Sequence, residues 1–189
     1  RFITLDGGEG VGKTTQLAYI RAWCSANHIE ACFGREPGGT PFGEQLRAIL
    51  LDPTTKADPI SELLLILAAR PAHLEQTILP CLARGAWYIS DRYGDATYAY
   101  QHYGRGIPAA TIATLEQASG TDRVPDLSLI LGSSSATARD RLSGRGQSAD
   151  RFENENSDFH ARVAAGYRAR ATAPHARWID AEGDPDTVF

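Results

Sequence analysis

The run Gly7-Gly8-Glu9-Gly10-Val11-Gly12-Lys13-Thr14 has the residue types and spacing of a phosphate-binding loop, G-x-x-x-x-G-K-[ST]. Glycines let main-chain N–H groups turn inward around phosphate oxygens without Cβ clashes. A lysine at the Lys13 position reaches the β- and γ-phosphates, and a hydroxyl at the Thr14 position binds Mg²⁺. The next helix would point its positive N-terminus at the anion, with Thr15 in its first turn. Three further segments place arginines where a second phosphate could sit: Arg35-Glu36, Arg70 and Asp91-Arg92. The planar guanidinium fork suits phosphate oxygens. A fourth basic stretch, Arg141-x-x-x-Arg145-Gly146 through Asp150-Arg151, is glycine-flanked. An arginine delivered there would meet the charge that spreads over a transferring phosphoryl group.

These residues need a scaffold, and the sequence predicts an alternation of strands and helices. Short apolar runs over 2–5, 31–33, 87–90, 127–131 and 177–179 read as strands. Helical spacing covers 13–27, 42–51, 59–82, 108–118, 136–142 and 157–171, with a kink expected at Pro71. That order predicts an α/β fold of three layers, the P-loop NTPase type. A five-stranded parallel sheet would carry helices on both faces and a short Arg-rich lid at about 143–153. The whole of 1–189 reads as a single domain. Ligands on such sheets bind outside the carboxyl ends of the strands, where Gly7, Arg35 and Asp91-Arg92 fall.

Composition narrows the partners. The formal net charge of −4 argues against general nucleic-acid binding. No apolar run approaches the roughly 18 residues of a membrane span, and no signal-peptide pattern opens the chain, so a cytoplasmic protein is expected. Cys24, Cys32 and Cys81 fit no zinc or redox spacing and read as reduced, buried thiols. The chain stops at Phe189 in what reads as the opening of a helix, so residues beyond both ends are expected. The phosphate-binding loop alone leaves kinases, GTPases and motors open. The absence of N-K-x-D argues against a GTPase.

Five segments then make the sequence resemble bacterial thymidylate kinase of the lid-arginine type over nearly its whole length. They are Gly7 to Thr15, Arg35-Glu36-Pro37-Gly38-Gly39-Thr40, Ala68-Ala69-Arg70, Asp91-Arg92-Tyr93 with Thr97-Tyr98-Ala99-Tyr100-Gln101, and Gly104-Arg105-Gly106. The resemblance implies transfer of the ATP γ-phosphoryl group to dTMP with Mg²⁺, by a homodimer. It implies that Glu9 meets the sugar 3′-hydroxyl or metal-bound water, and that Arg35 and Arg92 hold the acceptor phosphate. Arg70 would read the thymine edge. Pro37, Ile66, Thr97 and Gln101 would line the base and sugar pocket, and Tyr100 would crowd the 2′ position. Asp91 would orient Mg²⁺ through water. Gly7 to Thr15, Arg141 and Arg151 would hold ATP, with Arg145 as the catalytic arginine.

The sequence departs from the family pattern in three places. Ile66-Leu67 stand where an aromatic often stacks on thymine, Pro71-Ala72 follow Arg70, and Gly132-Ser133-Ser134-Ser135 replace an Asp-containing strand end. These weigh on the choice of base more than on phosphoryl transfer. Another nucleoside monophosphate, a deoxynucleoside, or nucleotide binding without turnover remain the alternatives.

Overall fold

A computed structural model describes residues 1–144 and 149–189. Five strands form one wholly parallel sheet: β1 (Phe2–Gly7), β2 (Ala31–Arg35), β3 (Trp87–Asp91), β4 (Leu127–Gly132) and β5 (Ala176–Asp180). Their spatial order is β2-β3-β1-β4-β5, so each crossover passes through helices. Along the chain these are α1 (Lys13–Ala26), α2 (Pro41–Leu51), α3 (Pro59–His73), α4 (Leu79–Ala83), α5 (Gly94–Thr97), α6 (Ala109–Ala118), α7 (Ser135–Ser143), α8 (Ser157–Arg170) and α9 (Pro185–Val188).

Helix starts follow local chemistry. Thr40 caps α2 by accepting from the Gly43 amide at 3.0 Å, with Pro41 in the first turn. Asp58 caps α3 through the Ile60 and Ser61 amides, again followed by proline. Asn156 caps α8.

Successive residues of a strand point to opposite faces, and β4 shows what each face buries. Ile130 packs with Ala99, Tyr100, Phe159, Val163 and Tyr167. Its neighbour Leu131 packs with Leu5 and Val11, against Leu17 and Ile20 of α1. Helices therefore cover both faces, as expected.

Two expectations change. The predicted helix over 59–82 is not one kinked α-helix. α3 runs through Pro71 to His73 and passes into a π-helical turn, Leu74–Ile78, before α4. Proline supplies no N–H to the ladder, and the wider turn absorbs the break. The cysteines are not three free thiols. Cys32 of β2 and Cys81 of α4 are joined by a disulfide, and Cys24 alone is free and buried. Cys32 and Cys81 stand 49 residues apart in sequence, and the packing of α4 beside β2 and β3 brings them together.

Candidate active site

The carboxyl ends of the strands form one edge. Arg35 sits opposite Asp91 in the β2–β3 register, and Leu5 lies opposite Asp91 across β1–β3. Above this edge lies a cavity of about 330 Å³ that holds Lys13, Thr14, Glu9, Asp91, Arg92 and Arg70 together. Pro37, Ile66, Thr97, Tyr100 and Gln101 line it too.

The loop between β1 and α1 takes its shape from glycines. Gly10 has φ of +73°, and a Cβ there would collide with the Ala138 carbonyl of α7. Lys13 is buried, and its Nζ donates to the carbonyls of Gly7 at 3.1 Å and Gly8 at 2.6 Å. Burial, with Arg92 nearby, lowers the Lys13 pKa to about 8 against the pull of Glu9, Asp91 and Asp6. Val11 packs its side chain in the core, so only its backbone belongs to the loop surface. Thr15 is exposed on the first turn of α1 and does not line the cavity.

Arg92 is the central cation. Its backbone sits in the left-handed region at φ +69°, a strained conformation for a side chain of this size. Nη1 donates to the Gly7 carbonyl at 2.8 Å, and Nη2 to Glu9 Oε1 at 2.8 Å. Tyr100 Oη donates to the same Glu9 oxygen at 2.7 Å. Burial raises the Glu9 pKa, but Arg92, Lys13 and Tyr100 outweigh it and bring it down to about 2. Glu9 is therefore a fixed anion that holds Arg92 and Tyr100 at the cavity wall.

Arg70 is almost wholly buried and heavily engaged. Nε donates to Glu36 at 2.7 Å, Nη1 to Glu116 at 2.9 Å and Nη2 to Thr97 Oγ1 at 2.6 Å. No described residue takes the second N–H of either terminal nitrogen, and Arg70 lines the cavity, so it both braces the wall and can face a ligand.

Two of the expected site arginines lie away from the places expected for them. Arg35 is not in the cavity. Glu44, in the first turn of α2, takes its guanidinium at 2.6 Å, and the pair stands half-exposed over a neighbouring hollow. Arg151 does not reach the nucleotide loop. It donates to the buried Glu62 carboxylate at 2.7 Å and to the Leu50 carbonyl at 2.7 Å. Arg141 lies on the loop's outer side, donating to the Val11 carbonyl at 3.3 Å and the Ala181 carbonyl at 2.9 Å. Arg145 lies outside the described residues.

Sequence reasoning missed Arg47, which lines the cavity and donates to the Pro37 carbonyl at 2.9 Å. It also missed Phe152, whose ring meets Tyr100 edge-on at 5.6 Å. With Tyr93, Phe152 brings aromatic surface to a cavity whose α3 wall offers Ile66. No local signal marks Arg47, since an arginine on an amphipathic helix reads as solvent-facing.

The thymidylate kinase family model matches residues 5–188. The chain belongs to the thymidylate kinase family. A thymidylate kinase of Dichelobacter nodosus is 50% identical over 189 residues, covering 100% of this chain and 93% of the relative. One from Chromohalobacter salexigens is 47% identical over 192 residues, covering 100% and 91%. Among solved structures, the thymidylate kinase of Ehrlichia chaffeensis superposes with a TM-score of 0.78 at 31% identity, covering 99% of this chain and 93% of that one. The thymidylate kinase reading thus rests on the whole chain, and the sheet described above is the family's P-loop α/β fold.

Proposed function

We propose that the cavity is where this enzyme joins ATP and dTMP and moves the γ-phosphoryl group between them, giving ADP and dTDP. The observation that carries this reading is the convergence of Lys13, Arg92, Arg70 and Arg47 on one cavity beside the glycine loop. A binding module has no need of a second set of cations facing the first.

The chain's own groups do the work by position and charge. Main-chain amides of the loop over Gly7 to Thr14 hold the ATP phosphates. Lys13 exchanges its two carbonyl partners for phosphate oxygens. Arg92 and Arg47 hold the dTMP phosphate, whose oxygen attacks the γ-phosphorus in line while the ADP oxygen leaves. Tyr100, fixed on Glu9, closes the sugar side and disfavours a 2′-hydroxyl. Arg141 borders the nucleotide loop. Arg145, carried by the stretch that lies outside the described residues, is the arginine proposed for the transferring group.

The donor set suits Mg²⁺. Thr14 lines the cavity with an exposed hydroxyl-bearing side chain, and Asp91 Oδ1 is buried with no hydrogen-bond partner among the described residues. Thr14 would bind the ion directly and Asp91 through water, and the ion would neutralise charge on the β- and γ-phosphates.

A homodimer is proposed through α2 and α3, where Phe42, Ile49, Ile60 and Leu64 are each about half-exposed. No helix among the described residues is long and apolar enough to cross a membrane. A cytoplasmic location, where ATP and dTMP are both to hand, is part of this proposal.

The test is a panel assay with ATP and dTMP, dUMP, dCMP, AMP or thymidine. Preferred ADP release with dTMP is expected, and Lys13→Ala and Arg145→Ala are each expected to lose on the order of 10²-fold or more in kcat. Preference for thymidine, or no ADP release with any acceptor, would overturn the reading.

A further inference from the structure

Glu62 belongs to no expected site. It lies in the first turn of α3 with no exposed surface. A buried carboxylate carries a desolvation cost that needs charged or polar partners to offset it. Glu62 has three. Arg105 donates to Oε2 from Nη2 at 2.9 Å and spans both oxygens through Nε, at 3.1 and 3.2 Å. Arg151 donates to Oε2 at 2.7 Å. The third is Gln101, whose Nε2 donates to Oε1 at 2.8 Å.

The third contact has a consequence for recognition. A carboxylate paired with two guanidinium groups only accepts hydrogen bonds. It therefore fixes which end of the Gln101 amide it receives: Nε2 must face Glu62. The carbonyl end, Oε1, has no hydrogen-bond partner among the described residues, and Gln101 lines the cavity. One turn earlier, Thr97 Oγ1 accepts from Arg70 Nη2 at 2.6 Å, which leaves the Thr97 hydroxyl proton free to donate. The cavity wall thus offers a donor at Thr97 beside an acceptor at Gln101. That order complements the O4 acceptor and N3–H donor of thymine or uracil. Cytosine presents the reverse, an N4 amino donor and an N3 acceptor.

We propose that Glu62 is a positioning residue that sets base selectivity: by locking the Gln101 amide with its oxygen toward the cavity, it makes the site take the 4-oxo imide edge of thymine or uracil and reject cytosine. The inference rests on the dTMP reading above and names the device that enforces it. Glu62 touches no substrate and acts wholly through Gln101.

Glu62→Gln tests it. Arg105 and Arg151 would claim the single oxygen of the new amide and turn its NH₂ toward Gln101, so the Gln101 amide would invert. The ratio of kcat/KM for dTMP over dCMP is expected to fall at least tenfold, with dCMP turnover rising in absolute terms. Arg105→Gln, which keeps the Glu62–Gln101 bond, is expected to leave that ratio at its wild-type value even where both rates drop. If Glu62→Gln does not melt cooperatively, the pair Glu62→Gln with Arg105→Gln removes one stranded cation and carries the same expectation. In the wild-type chain, ¹⁵N-edited NMR reads the amide directly, its NH₂ signal assigned by its loss in Gln101→Met. That signal should keep its position on adding dTMP. An unchanged dTMP/dCMP ratio in a folded Glu62 variant, or an NH₂ signal that moves to a ligand-bonded position, would overturn the proposal. A wild-type chain with no preference for dTMP over dCMP would instead overturn the dTMP reading itself.

Discussion

Asp6 shows how a single residue at the strand edge is held out of its ordinary state. It is the penultimate residue of β1, fully buried, and neither carboxylate oxygen has a hydrogen-bond partner among the described residues. Burial and the neighbouring Asp95 push its pKa up to about 7, against the opposing pull of Thr4 and Arg92. The folded chain therefore binds more protons than the unfolded chain between the ordinary carboxylate range and about pH 7. Stability from this group is complete below that window and is lost as pH rises through 7. Asp6→Asn removes the dependence. It is expected to melt several degrees above the wild type at pH 8, with the gap shrinking toward pH 5, as paired thermal scans would read. An offset equal at both pH values would show that Asp6 does not titrate there.

At the scale of elements, the acceptor wall is tied together by one guanidinium. Arg70 of α3 bonds Glu36 after β2, Thr97 of α5 and Glu116 of α6. Glu36 in turn accepts from His73 one turn along α3, at 2.9 Å if Nδ1 carries the proton. Removing the cation strands two buried carboxylates. Arg70→Met is expected to cost about 3–5 kcal/mol in urea denaturation and to weaken dTMP more than ATP. A loss below about 1 kcal/mol would mean that the carboxylates find protons or water at little cost.

Legibility divides along the same lines. The glycine loop, Asp91-Arg92 and the strand ends were readable, because a motif confined to consecutive residues carries its own geometry. The segment holding Thr97, Tyr100 and Gln101 was readable as residues but not as structure. It is α5 followed by the π-helical Tyr98–Gly104, whose wider period has no sequence template among 3.6- and 2-residue repeats. Arg35 stands outside the cavity and Arg47 lines it, for a reason that lies in three dimensions. Glu44 takes the Arg35 guanidinium, while Arg47, one turn along α2, reaches the Pro37 carbonyl and lines the cavity. Arg151 and Glu62 stand 89 residues apart, and no local pattern joins them.

For the whole molecule, the unpartnered apolar residues of α2 and α3 set an expectation about assembly. Phe42 and Ile49 are two turns apart on α2, and Ile60 and Leu64 are one turn apart on α3. All four are nearly half-exposed, which is more than isolated surface residues need explain. Leu64→Glu is expected to halve the sedimenting mass of a dimer while leaving the melt cooperative. A wild-type chain that sediments as a monomer at all concentrations would remove the proposed interface.

The central claim is that both nucleotides share one strand-edge cavity, with phosphates facing each other between the loop and the arginines. The most direct measurement is calorimetric titration with adenosine and thymidine joined through an oligophosphate chain. One molecule should bind per chain, more tightly than ATP or dTMP alone, displace both, and lose most of its affinity in Arg92→Met. Binding that leaves the dTMP site open to a second ligand, or that ignores Arg92→Met, would contradict it.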